Sequence, residues 1–391
     1  MMIYLDHAAS TPLRESARIA WIEASAAGAN ASSVHAAGQT ARRRLEDARD
    51  AVAQLIGCES IEVVFTSGGT ESVNLALQGL WHARADGREA VVLPDGEHHA
   101  TLDTAVWLQG QGALIRSVPL DGAGRLDIAA FAAALPGAAL ATALVVNNEV
   151  GTVQDAAGFA AAASVAGVPL HLDAVGAVGH LPVSFGAWRG DAAGAAGLVA
   201  LSASGHKFGA PVGTGFLVVS RHARLAPVLH GGGQQRGLRS GSPDVAGAAA
   251  LAAAFAEATA EREAEAVRLT ALAERLTAGI LQLVPRAELL GDPVRRVPGN
   301  VHVLFPGAAG ESLLFLLDQA GISVSTGSAC QAGVAEPSHV VLALGRDERA
   351  ARSVLRLTLG RTSTDADVDG VLAALPEAYA RASGARSGAR S

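Results

Sequence analysis

The chain has 391 residues, 30 of them Lys or Arg against 37 Asp or Glu, with a formal net charge of −7, a 50% hydrophobic share and only 17% charged residues. Net acidity argues against nucleic acid or another polyanion as partner, and the hydrophobic share argues against a disordered chain. No basic stretch followed by an apolar leader opens the sequence, and its longest apolar run, FAAALPGAALATALVV, is broken by Pro136 and Gly137. A soluble cytoplasmic protein without signal peptide or membrane span is therefore expected.

In chain order, a helix should end at Gly57, just before Cys58 and the first strand. Short β-rich runs then recur: EVVFT (62–66), AVVLP (90–94), ALVVN (143–147), PLHLD (169–173), LVALSAS (198–204) and GFLVVS (215–220). The segments between them are long and Ala-rich enough for crossover helices, so the alternation predicts an α/β fold with an open, mostly parallel sheet. Ligands of such sheets sit at the carboxyl ends of the strands. Those ends carry Ser67-Gly68-Gly69-Thr70, Glu97-His98-His99, Asn147-Asn148-Glu149, Asp173 and Ser204-Gly205-His206-Lys207.

Further on, Ser242-Pro243-Asp244 reads as N-cap, first-turn proline and first-turn acid of a helix continuing to about Val284. A helix that long is expected to join two domains. We expect a large domain over 16–260 and a smaller α+β domain formed by 1–15 and 261–391. The smaller domain would contain the runs VHVLF (301–305) and SVLRLTLGR (353–361) and the Cys330 loop. Its last residues, 382–391, have the composition of a disordered tail.

Lys207 is the only lysine in the chain; the other 29 of those 30 basic residues are arginine. Arg solubilises a surface equally well, but a guanidinium does not lose its proton, whereas an ε-amine can be desolvated, neutralised and condensed with a carbonyl. A residual surface lysine is the ordinary alternative. Two cysteines so far apart should both be free: Cys58 reads as structural, and Cys330, among the small residues of STGSACQAGVAEPS, as an exposed loop thiol.

Other residues narrow the choice. TSGGTESVNLAL joins strand to helix through two glycines, and the backbone N–H groups of such a turn suit a phosphate, with Ser204, His206 and Ser242 as further donors. Asp173 could keep a pyridine nitrogen protonated or could simply cap a helix. His98 could stack on a ring, sit satisfied in a loop or, with Glu97, His99 and the His171-x-Asp173 pair, bind a metal; no Cys or His spacing of a zinc site accompanies it, so no metal is expected. A lone lysine, a phosphate cradle, a carboxylate and a ring-sized histidine together point to pyridoxal 5′-phosphate.

The sequence also resembles a family. YLDHAASTP, NASSVH, FTSGGTESVN, EHHA, VNNEVGTVQD, HLDA, SGHKFG, HGGGQQRGLRSGS, GSAC and RLTLGR, in this order over nearly the whole chain, resemble the cysteine desulfurases of iron–sulfur cluster and nitrogen-fixation type. These lie within the class V aminotransferases and the fold-type I pyridoxal phosphate enzymes. The resemblance implies that Lys207 holds the cofactor covalently, that His98 stacks on its ring and assists proton transfer, and that Asp173 pairs with the ring nitrogen. It further implies that Gly69, Thr70, Ser204 and His206 bind the phosphate and that Ser242 reaches in from the second subunit of a homodimer. Asn148 would contact cofactor and substrate, Arg356 would hold the carboxylate of L-cysteine, and Cys330 would take its sulfur as a persulfide for an acceptor protein.

Three positions depart from the family pattern. Gly176 stands where a glutamine is usual, Ser242 replaces a threonine and His99 replaces a common lysine. The Cys330 loop matches the long-loop branch. A selenocysteine lyase, another class V enzyme and a weakly active sulfur-transfer scaffold are the alternatives.

Overall fold

The computed structural model describes residues 2–26, 28–327 and 336–384. Its twelve strands are β1 (Ile3–Tyr4), β2 (Val63–Thr66), β3 (Ala90–Pro94), β4 (Leu114–Val118), β5 (Ala138–Leu144), β6 (Pro169–Asp173), β7 (Gly197–Ser204), β8 (Gly215–Val219), β9 (Glu288–Leu289), β10 (Asn300–Leu304), β11 (Ile322–Ser323) and β12 (Val354–Thr358). Seven of them form the central sheet in the order β2-β8-β7-β6-β5-β3-β4. The pairs β3–β4, β3–β5, β5–β6 and β6–β7 are parallel, whereas β8 runs antiparallel to both β7 and β2. This is the expected α/β architecture with a mostly parallel sheet. Two reversals at β8 turn β2 back to the direction of β7, so its carboxyl end shares an edge with those of β3, β5, β6 and β7.

Strands covered on both faces by helices must be apolar throughout rather than alternating. Every residue of β5, β7 and β8 is buried accordingly. Two expectations about strands need correction. The run expected as a strand at 143–147 pairs earlier, over Ala138–Leu144, because an Ala-rich stretch that favours helix in isolation is overridden by burial between β3 and β6. The edge strand β4 went unexpected, since LIRSV buries only Val118 and lacks the apolar run of its neighbours.

The first long helix, Ala36–Ile56, does end at Gly57, whose φ of 72° is left-handed. The spine is one continuous helix, Val245–Leu283, of 39 residues. Its N-cap is Asp244, which accepts the Gly247 N–H at 2.8 Å, rather than Ser242. Leu251, Phe255 and Ala258 of this helix pack in the core of the large sheet, whereas Leu269, Leu272, Leu276 and Ile280 pack with Leu5, Val303, Phe305 and Leu357. The second core lies under the antiparallel trio β12-β10-β9 and the β1–β11 pair. We propose the stretch between Ala258 and Leu269 as the boundary between the two units. No helix among the described residues is long and apolar enough to cross a membrane.

Gly215 on β8 sits against the turn after β2. A Cβ there would lie 2.6 Å from Gly68 Cα and 2.8 Å from Ala203 O, both backbone atoms that cannot rotate away. Overpacking of this kind costs about 1–3 kcal/mol. Gly215→Ala should therefore lower unfolding stability by about that amount and displace the Gly68–Gly69 turn; chemical denaturation and the cofactor content of the purified variant measure both effects.

Candidate active site

A cavity of about 310 Å³ opens at the shared carboxyl edge of the sheet. Gly69, Thr70, His98, Asn148, Asp173, Gly176, Ser204, His206 and Lys207 all line it. Gly69 and Thr70 begin the helix Gly69–His82, whose first N–H groups have no partner within the helix. A side chain at 69 would displace its neighbour, because a Cβ there would come 2.7 Å from Val175 Cγ2.

Lys207 follows β7 in a short 3₁₀ turn. Its Nζ donates to Ala8 O at 2.5 Å and to Ala9 O at 3.1 Å, while its own carbonyl meets His180 Nε2 at 3.0 Å. Burial first, and then the Arg356 charge, push the amine from the usual 10.5 down to about 8; Asp6 and Asp173 oppose this.

Asp173 ends β6 and is buried. Its Oδ1 accepts the Val175 N–H at 2.9 Å and the Ser202 hydroxyl at 3.0 Å. With its one proton given to Asp173, Ser202 accepts from His171 Nε2 at 3.2 Å, which leaves His171 Nδ1 to accept the Thr142 hydroxyl at 2.9 Å. Burial holds His171 at about 4, so this neutral tautomer persists. Thr142, His171 and Ser202 thus form a buried chain that aims the carboxylate. Burial also raises the Asp173 pKa, so its anionic form needs a positive charge or hydrogen-bond donor close by.

His98 caps the helix His99–Gly110, its Nδ1 accepting the Ala100 N–H at 3.0 Å, so the ring carries its proton on Nε2. Burial and the Lys207 charge push it to about 4, and His206 likewise. His7, which also lines the cavity, is pushed to about 4 chiefly by burial. Asn148 has a buried Oδ1 with no partner among the described residues.

Arg356, on β12, is nearly buried and lies just behind the cavity wall: Nη1 donates to Asn148 O at 2.8 Å and Nη2 to Asp6 Oδ1 at 2.9 Å. Ser242 is not brought to this cavity by its own chain; it is exposed and lines a separate one of about 160 Å³ with Ser67, Thr214 and Arg239. Cys330 lies outside the described residues. On either side of its segment, the Ser338 hydroxyl donates to Glu149 Oε2 at 2.5 Å, and Gly327 packs so close that a Cβ there would lie 2.8 Å from the same oxygen. The Cys58 thiol is pushed up to about 12 by burial and by Glu62 and Glu59, which leaves it unreactive at neutral pH.

Sequence reasoning missed His7, His180 and the carbonyls of Ala8 and Ala9. The only signal was YLDHAASTP, which carried family likeness but no assigned role. It missed Asp6 and Thr142 as well, and it had His171 as a possible metal partner and Ser202 as a strand-end residue without the hydrogen-bonded chain that joins them to Asp173.

Comparison with known proteins agrees with this geometry. The family model described as Aminotransferase class-V matches residues 3–371. The "IscS-like cysteine desulfurase" of Mycobacterium tuberculosis is 45% identical over 97% of either chain. Among solved structures, a "NIFS-LIKE PROTEIN" superposes with a TM-score of 0.89 at 29% identity, covering 96% of this chain and 99% of its own. Another, "SspA in complex with cysteine", gives 0.78 at 28% identity, covering 91% and 98%. The chain belongs to the class-V aminotransferase family and, within it, to the cysteine desulfurases, which are pyridoxal-phosphate-dependent enzymes.

An amine with a pKa near 8 is half neutral at pH 8, whereas an ordinary lysine would be about 0.3% neutral there. Only the neutral form attacks an aldehyde, so reactivity is lost below that pKa and gained above it. Covalent capture of pyridoxal phosphate by apoprotein, trapped with borohydride and mapped to the Lys207 peptide, should rise with pH to a plateau with a midpoint near 8. A midpoint near 10.5 would contradict the burial.

Proposed function

We propose that the protein converts L-cysteine to L-alanine at this cavity and passes the sulfur through Cys330 to an acceptor protein. The observation that carries the reading is the one lysine of the chain, buried with a lowered pKa between a glycine-lined helix N-terminus and an aimed carboxylate. The residues fit pyridoxal phosphate: the Gly68–Gly69 turn packs so closely on Val175 and Ser204 that a side chain at 69 would crowd it, and Asn148, whose buried Oδ1 has no partner among the described residues, lines the same space. When bound, that cofactor supplies a conjugated ring that draws electrons from the Cα of an attached amino acid.

Each residue then has a task. Lys207 anchors the cofactor and, once released by the substrate amine, removes and returns the Cα proton. Asp173 keeps the ring nitrogen protonated. His98, neutral with its proton on Nε2, gives the ring a flat partner and can donate one proton at that atom. Gly69, Thr70, Ser204 and His206 hold the phosphate, and Arg356 with Asn148 holds the substrate carboxylate. The Cys330 thiolate attacks the substrate sulfur; the new S–S bond forms as the Cβ–S bond breaks, and the bonding pair leaves with Cβ to be protonated in alanine. The exposed position of Ser242, away from its own cavity, supports reading it as a hydroxyl given to a second subunit of a homodimer. Gly176 lines the cavity with Val146 3.4 Å from a Cβ built there, which leaves its ring contact to water or a neighbouring hydroxyl.

Purified holoprotein with L-cysteine and dithiothreitol should release alanine and sulfide in equal amounts. Cys330→Ser should keep the visible absorption of the bound cofactor while sulfide falls by roughly 100-fold or more, because a hydroxyl is a poor nucleophile toward sulfur. Undiminished sulfide would remove Cys330 from the reaction.

A further inference from the structure

Arg356 already holds a carboxylate of its own chain. Asp6, 350 residues away in sequence, accepts from Nη2 at 2.9 Å, and the Asn148 carbonyl accepts from Nη1 at 2.8 Å. Nε is buried and has no partner among the described residues. The Arg356 side chain is 6% exposed and that of Asp6 22%, so the pair is sheltered but not sealed. The guanidinium therefore keeps one N–H, on Nε, without a partner among the described residues, while its single charge is already shared with Asp6.

We propose that Asp6 is a built-in competitor for Arg356: its carboxylate screens the guanidinium against the α-carboxylate of the bound amino acid, weakening substrate and product alike and so hastening the exit of alanine. The proposal rests on reading Arg356 as the carboxylate-binding residue. Asp6 acts through Arg356 and is a positioning residue, not a catalytic one. Two carboxylates on one guanidinium repel each other, and the repulsion is strong where water is scarce.

Asp6 is held firmly enough to compete. Its carbonyl accepts the N–H groups of Ala9 at 3.0 Å and Ser10 at 3.2 Å, and the Tyr4 hydroxyl at 3.1 Å; the His7 N–H is tied to Thr358 O at 3.3 Å. The same turn presents the Ala8 and Ala9 carbonyls to Lys207 Nζ. An amino acid that draws Arg356 away from Asp6 therefore disturbs the segment that holds the lysine amine, which couples carboxylate recognition to release of that amine.

The test compares two probes on holoenzyme through the change each makes in the visible absorption of the bound cofactor. L-alanine carries the carboxylate and ethylamine lacks it. Asp6→Asn, which keeps the size and an acceptor oxygen, should strengthen L-alanine binding about 3–10-fold relative to ethylamine, the ratio cancelling any effect on the lysine amine that both probes share, and should lower the KM for L-cysteine. Asp6→Ser should shift the alanine-to-ethylamine ratio in the same direction. A wild-type preference for L-alanine that either variant leaves unchanged or reduces would overturn the proposal alone. Equal binding of both probes by the wild type would instead show that Arg356 does not hold the carboxylate, and the proposal would fall with that reading.

Discussion

One primary amine removed from water sets the terms for the rest of the molecule. An ammonium group without solvent needs oxygen acceptors close by, and its alternative is to lose the proton. For Lys207 the acceptors are Ala8 O and Ala9 O, which come from the first ten residues rather than from the sheet that carries the lysine. That segment is in turn stitched to both units. Thr358 on β12 takes its N–H to Leu5 O at 2.7 Å and accepts the Ala8 N–H at 2.9 Å, and the Thr11 N–H reaches His206 O at 3.0 Å. Solvating one amine thus ties the chain's start, the end of β7 and the smaller unit together across the cavity.

The charges around the amine follow from the same scarcity of water. His7, His98 and His206 are all held near 4, so at neutral pH none adds a second positive charge to the cavity. Glu97, fully buried behind the wall with Oε1 on the Leu144 N–H at 2.8 Å, is raised to about 8 by burial and by Asp173. It therefore carries a proton at neutral pH. Arg356, Asp6 and Asp173 each act on Lys207, the first against its charge and the other two for it, so a change in any one is felt at the amine.

Much of this was legible in the sequence, for identifiable reasons. Buried parallel strands announce themselves as unbroken apolar runs, and polar residues at their ends mark the ligand edge; PLHLD before Ala174 and LVALSAS before Gly205 show both features. Lys207 stood out because its chemistry is unique in the chain. Hidden features were those in which local preference and tertiary context disagree. Ala138–Leu144 has helix-forming residues in a strand, β4 has a polar face because it lies at an edge, and the cap at Asp244 displaced a plausible one at Ser242. Contacts between distant segments left no local pattern at all. The Asp6–Arg356 pair spans 350 positions, and His171 reads as a possible metal partner of Asp173 until Ser202 and Thr142 are seen on either side of it.

The central claim is that the buried ε-amine of Lys207 is the group that carries the cofactor. Borohydride reduction of purified holoprotein, followed by digestion and mass spectrometry, tests this directly. One pyridoxyl mass per chain is expected, on the peptide containing SGHKFG. A modification found only at the amino terminus, or no covalent modification in protein that retains the cofactor's absorption, would contradict it.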